Sequence, residues 1–203
     1  DVEAKGWAAV WIAEGLSAQG AFTRALNLLN EPRQQANRRS YNDLRLTTTI
    51  FRLSGSLHER RSDEMSAQDD YFGAIQSGLP GLLNLETLED VEPVIEHIRC
   101  GLDSRVFYAS VKSYVDLVRL GNFKPSALRI NLIRYVISQS RMYVAHNIHA
   151  ELSMYVELTA ARLGDYEAAY HALECARIID HRSGVSLSLL HICKQNEIEA
   201  KSD

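Results

Sequence analysis

Cysteine is scarce in this chain. Cys100, Cys175 and Cys193 stand far apart among 203 residues and form no CxxC pair, which excludes a disulfide framework and points to a reducing, cytoplasmic compartment. Long apolar runs are missing as well. No eighteen apolar residues follow one another and no basic stretch leads into an apolar one, so neither a membrane span nor a signal peptide is visible. Charge of one sign is also lacking: 22 lysines and arginines face 26 aspartates and glutamates, for a net charge of −4. Arg33, Arg38, Arg39, Arg60 and Arg61 do gather locally, but Glu31, Glu59, Asp63 and Glu64 dilute them. Nucleic acid requires a basic patch to neutralise phosphate, so contact through this segment is not expected, nor is contact with a membrane. The chain has no GxGxxG, GxxxxGK or GxSxG, and no cysteine is paired with a recognisable histidine motif. No catalytic residue and no cofactor are expected, and the default is a protein that binds.

What remains is the composition of an ordinary globular domain, 46% hydrophobic and 24% charged, long enough to bury a core as a single domain over 1–203. The apolar residues recur at helical spacing. Over Val2–Ala18 the stripe is Val2, Trp7, Val10, Trp11, Ala13 and Leu16, with both tryptophans expected in the core. A partner helix follows over Ala21–Leu29, and Pro32 is expected to interrupt it at Asn30-Glu31. Residues 34–61 read as helix in spite of the β-branched run Thr47–Thr49. Residues 60–70 are the most polar segment, an internal loop or the exposed start of a helix. After breaks at Gly78, Pro80 and Gly81, the acidic cluster Glu86, Glu89, Asp90 and Glu92 reads as a solvated helix start rather than a metal site. Helices are expected over 104–120, 127–138, 142–163, 166–179 and 185–201. The chain opens at Asp1 rather than methionine, as a fragment of a longer protein is expected to.

One device occurs three times. Gly20, Phe22 and Ala25, then Gly121, Phe123 and Ser126, then Gly164, Tyr166 and Ala169 repeat glycine, aromatic and small residue at the same offsets. Glycine can close the helix before it in the left-handed conformation, the aromatic wedges the turn, and the small residue lets two helices approach. Asp165 is placed to cap the helix that follows. In these turns the sequence resembles tetratricopeptide repeats, most closely at Gly164, Asp165, Tyr166 and Ala169. It departs from them in carrying Tyr114 and Glu157 where the first helix of a repeat has a small residue, and in a spacing from Gly121 to Gly164 longer than the roughly 34 residues of that repeat. The resemblance implies an all-α fold of about eight to ten helices, antiparallel hairpins stacked as a superhelix.

The same resemblance implies a protein-interaction or sensory module of a bacterial regulatory or signal-transduction protein, binding a peptide or protein in a concave groove. The first helices of the later repeats are expected to line it with Tyr108, Lys112 and Asp116 on one and Asn147, Glu151 and Tyr155 on the next, each set at four-residue spacing and therefore on one face. An alternative is a small-effector domain that controls an attached output domain, a transcription regulator or a cyclic-dinucleotide enzyme. A third reading is a metal-dependent enzyme built on His146 and His149. The two histidines are three apart rather than four and lack the HExxH glutamate, so surface or interhelical histidines are expected and no metal.

Overall fold

A computed structural model describes residues 1–121, 127–144, 146–165, 167, 168, 170–172 and 175, without the side chains of Ala127, His146 and Asn147. The chain is all-helical among these residues. Its helices are α1 (Val2–Ala18), α2 (Phe22–Asn37), α3 (Leu44–Arg60), α4 (Glu64–Gly78), α5 (Val91–Arg99), α6 (Ser104–Arg119), α7 (Ala127–Ser140) and α8 (His146–Arg162), with a 3-10 turn at Pro80–Asn84. Helices adjacent in sequence pack on one another, α1 on α2, α2 on α3, α3 on α4 and α7 on α8, so the architecture is one of sequential antiparallel hairpins. The chain divides into two compact units, one of Asp1–Asn84 and Arg105–Asn122, the other of Leu85–Ser104 and the described residues from 127 onward. Phe123, Ser126, Tyr166 and Ala169 of the repeated turns lie outside the described residues, as does the helix expected over 185–201.

The first unit begins with a helix capped by Asp1, whose carboxylate accepts from the Glu3 amide. α1 buries Gly6, Ala9, Val10 and Ala13 against α2 and α3. Two sequence expectations need correction here. Trp11 is not core: it is 65% exposed, and only Trp7, stacked on it at 6.3 Å between ring centroids, is half-buried, its indole donating to Asp43. Nor does Pro32 interrupt α2, which runs to Asn37 with Pro32 buried inside it. The proline forfeits one intrahelical bond but offers apolar surface, and packing outweighs propensity. The helix expected over 34–61 is likewise two helices, joined by residues 38–43. α3 starts at Leu44 because the Asp43 carboxylate accepts from the Arg45 amide. Its three threonines do not break it: Thr47 and Thr48 donate back to the carbonyls of Asp43 and Leu44.

α3 and α4 form the tightest pair of the unit, and reciprocal glycines explain why. A Cβ on Gly55 of α3 would lie 2.7 Å from the Tyr71 ring of α4, and one on Gly73 of α4 would lie 3.0 Å from the Phe51 ring of α3. Each helix sets an aromatic into the notch left by the other's glycine. Farther along, Gly78 leaves room for Ser110, Thr48 and Val106, bringing α6 into the same core. Of the two readings of 60–70, a loop or the exposed start of a helix, the second holds in part: α4 starts at Glu64 with Glu64 and Met65 exposed, but its next turn is partly buried. The connection is only residues 61–63, Asp63 caps α4 through the Ser66 amide, and Ala67 and Asp70 are wholly buried.

In the second unit, α5 buries Val91, Val94, Ile95 and Ile98, one continuous stripe at helical spacing that accompanies its packing on α7. The acidic residues before it fold their own turn: Asp90 accepts from the amides of Glu86 and Thr87, and these bonds hold its carboxyl below the usual range. α7 contributes Ile130, Leu132, Ile133, Val136 and Ile137 to the core, and α8 contributes Leu152, Val156, Ala160 and Ala161. α8 starts at His146, four residues later than the sequence suggests. Glu157, anomalous as a repeat residue, has a different employment: Arg134 of α7 forks onto it at 2.9 and 2.6 Å and reaches Asp165 at 3.0 Å. Gly20, Gly121 and Gly164 all have positive φ, of 75°, 82° and 96°, each just past the end of its helix. At Gly164 the helix closes with Gly164 N–H to Ala161 O and Asp165 N–H to Ala160 O, the bonding that favours glycine, and Asp165 then accepts from the Ala168 amide.

Candidate functional site

The residues expected to line a groove on α6 are mostly occupied within the first unit. Asp116 is 6% exposed; Lys112 Nζ donates to both of its carboxylate oxygens at 2.8 Å, and Arg119 donates to one of them at 3.3 Å. Arg119 in turn donates to Glu59 of α3 at 2.6 Å, and the Tyr71 hydroxyl of α4 donates to the same carboxylate at 3.0 Å. Burial acts to raise Glu59, but the bonds from Arg119 and Tyr71 outweigh it and hold the carboxyl below its ordinary value. Tyr71 is pushed up, by burial first and then by Asp116 and Glu59. Two acids and two bases thus balance in a half-dry seam that locks α6 onto α3 and α4. Tyr108 stands under the Arg52 guanidinium at 5.7 Å.

On α8 the matching set is placed differently. Tyr155 is half-buried, packed with Leu158 and Cys175 around Met154, and Glu151 is half-buried too. The side chain of Asn147 lies outside the described residues, as does that of His146. His149 lines a cavity of about 150 Å³ with Ser138, Ser153 and Arg134, and no cluster of three metal-ligating side chains occurs among the described residues.

A second polar cluster joins α2, α3 and α4. Asp70 has no exposure and bonds to the Arg33 guanidinium, while His58 lies with Nε2 3.8 Å from Asp70 and Nδ1 3.1 Å from Asp63. Burial pushes Asp70 up to about 6 against the pull of Arg33, and burial holds His58 below its ordinary value in spite of Asp63. At neutral pH the arrangement is therefore an ionised aspartate paired with arginine beside a neutral imidazole.

Two features of the first unit present chemistry outward. The face of α1 opposite its buried side carries Ala4, Ala8, Trp11 and Gly15, flanked by Ile12, Lys5 and Glu14, all exposed. A surface helix ordinarily turns polar residues there. Gly15 has nothing within 4 Å of where its Cβ would be and no positive φ, so neither packing nor backbone geometry within the described residues requires glycine at that place. The other feature is a cavity of about 570 Å³ between the end of α2, residues 38–43, α3 and α4. Tyr41 and Phe51 supply apolar wall, and Asn42, Gln76, Ser77 and Arg39 supply hydrogen-bonding groups. Neither feature is singled out by a sequence motif. An available signal for the first was that α1 has no continuous polar side; the second depends on which helices meet.

No family model, no curated protein and no solved structure matches this chain. Among the described residues no helix is long and apolar enough to cross a membrane.

Proposed function

We propose that the chain is a protein- or peptide-binding module of helical hairpins, of the tetratricopeptide-like kind and serving a bacterial regulatory or signal-transduction protein, which takes an amphipathic helix of its partner on the outer face of α1. The observation that carries this reading is that Trp11 and Ile12, 65% and 56% exposed, stand on a strip whose other members, Ala4, Ala8 and Gly15, are all apolar or small. Exposed apolar strips of this kind mark interaction surfaces. Trp11 is the type of large anchor that dominates binding energy, and the small residues around it let a second backbone come close. Lys5 borders one edge of the strip and Glu14 the other, which suits a partner helix with opposite charges on its two flanks. The positive-φ glycines Gly20, Gly121 and Gly164 support the repeat-like part of the reading. Against a groove on α6 stands the engagement of Lys112 and Asp116 with one another and with Arg119.

A photo-crosslinking side chain at position 12 tests this, with position 24 on exposed α2 as control. The expected result is one adduct, with a segment of a different protein whose sequence has helical apolar spacing, formed from position 12, absent from position 24 and abolished by Trp11→Glu. No adduct at 12, the same adducts at both positions, or an adduct with a second copy of this chain would overturn the proposal.

A further inference from the structure

The cavity beside α2 and α3 has a charge pattern and a backbone peculiarity that belong together. Among the described residues that line it, Arg39 carries the only charge. Its guanidinium makes no hydrogen bond or ion pair with any described side chain, whereas the carboxylate nearest in sequence, Asp43, is engaged by Trp7 and Arg45. Arg39 also closes α2 with φ of 54°, its amide bonded to Ala36 O and the Ser40 amide to Gln35 O. This is the helix ending that Gly20 and Gly164 make elsewhere in the chain, and glycine makes it without the steric conflict that a side chain meets there. An arginine at such a place costs the fold something, and among the described residues no hydrogen bond or ion pair of its side chain offsets that cost.

The interior of the cavity is complementary to that charge. Phe51 and Tyr41 are the aromatic residues of its lining, though only 4% and 6% exposed, and Asn42, Gln76 and Ser77 offer amide and hydroxyl groups around them. The volume of about 570 Å³ lies within the range of small-molecule sites. We propose that this cavity binds a small organic anion, its carboxylate, sulfonate or phosphate head on the Arg39 guanidinium and its apolar body beside Phe51 and Tyr41. The site does not depend on the α1 strip and stands or falls separately. If the module passes a signal to a partner, this is where a diffusible effector enters.

The test uses 8-anilinonaphthalene-1-sulfonate, an aromatic anion that fluoresces when bound, and its uncharged relative N-phenyl-1-naphthylamine. The sulfonate should bind saturably, one per chain. Arg39→Gly should weaken it at least tenfold, the loss of one charge-assisted contact, while the melting temperature holds or rises because glycine accepts the left-handed turn. Arg39→Lys should keep affinity within about threefold, as a cation remains. Gln76→Trp, which fills the mouth, should abolish binding, and the uncharged probe should not distinguish the parent chain from Arg39→Gly. Binding that does not saturate, that Arg39→Gly leaves intact, or that Trp11→Glu removes instead would overturn the site. So would a lower melting temperature for Arg39→Gly, since it would show that the fold itself requires the arginine.

Discussion

α1 and α4 invert one another. α1, VEAKGWAAVWIAEGLSA, is apolar almost all round, yet Trp11 and Ile12 are more than half exposed; α4 opens with the polar EMSAQDD, yet Asp70 has no exposure. The difference lies in their neighbours. α4 lies against α3 along its length and meets α6 at Gly78, so even its aspartate is enclosed and must be paired. α1 packs on α2 and α3 with the side that carries Gly6, Ala9, Val10 and Ala13, and its opposite side is exposed. Burial follows the number of sides on which a helix is covered. Where apolar residues exceed the sides covered, the surplus stays exposed, as at Trp11 and Ile12.

The same residue type should therefore behave in opposite ways on the two helices, and the largest effect belongs to α4. A Cβ on Gly78 would stand 2.3 Å from Ser110 Oγ, 2.8 Å from Thr48 Cγ2 and 2.9 Å from Val106 Cγ1. The serine can rotate away, but the two branched side chains are held by the helices that carry them. Gly78→Ala is expected to destabilise the chain by about 3 kcal/mol, the upper range for overpacking a closed site. Urea denaturation would register it as a lower midpoint at unchanged slope. An unchanged midpoint would mean that α4 and α6 do not meet as closely as described, and the contrast with α1 would lose its basis.

A smaller effect separates the buried aspartate from an ordinary one. In the folded chain Asp70 takes up a proton near 6, against an ordinary value of 3.8, because burial disfavours its charge more than Arg33 favours it. The folded state therefore binds the proton first. Asp70 contributes stability that is complete below pH 3.8 and lost as the pH rises through about 6. Asp70→Asn removes this contribution while keeping an acceptor for Arg33, and His58, Asp63 and Asp69 are common to both chains. On going from pH 7 to pH 5 the parent should gain about 1 kcal/mol relative to the variant. A constant difference across that interval would show that the Arg33 pair, not burial, governs Asp70.

How much of this was legible beforehand follows from the same contrast. The helices α1, α6 and α7 and the turns at Gly20, Gly121 and Gly164 could be read because local signals fix them: apolar periodicity, and glycine where φ must be positive. Pro32 misled because its cost to α2 is local while what it gains is surface to bury, which depends on neighbours the sequence does not display. In the polar stretch 60–70 a helix start is legible but its burial is not, for the same reason, since Asp70 meets Arg33, 37 residues away. On α6, the four-residue spacing of Lys112 and Asp116 suits the ion pair they form, but their link through Arg119 to Glu59 is not legible, because Glu59 is 60 residues from Arg119. Trp11 reads as core because tryptophan on an apolar helix usually is; that α1 has more apolar faces than neighbours depends on how the hairpins assemble.

The smallest expected change is at the outer face of α1, and it is the one that separates a surface from a core. If Trp11 faces away from every neighbour except the Trp7 ring, Trp11→Glu removes only that stacking contact and places a charge in water. The cost should stay within about 0.5 kcal/mol, as for other surface substitutions. Gly15→Ala, on the same strip, should raise stability by up to about 1 kcal/mol, since a methyl there meets nothing and alanine is the better helix former. Thermal melting of both variants checks the pair. A large loss for Trp11→Glu would turn the strip into core, and with it the argument that α1 awaits a partner would fall. Near-neutral melting, together with loss of the crosslink from position 12, would assign the tryptophan to binding and leave the fold to the face that holds Val10 and Ala13.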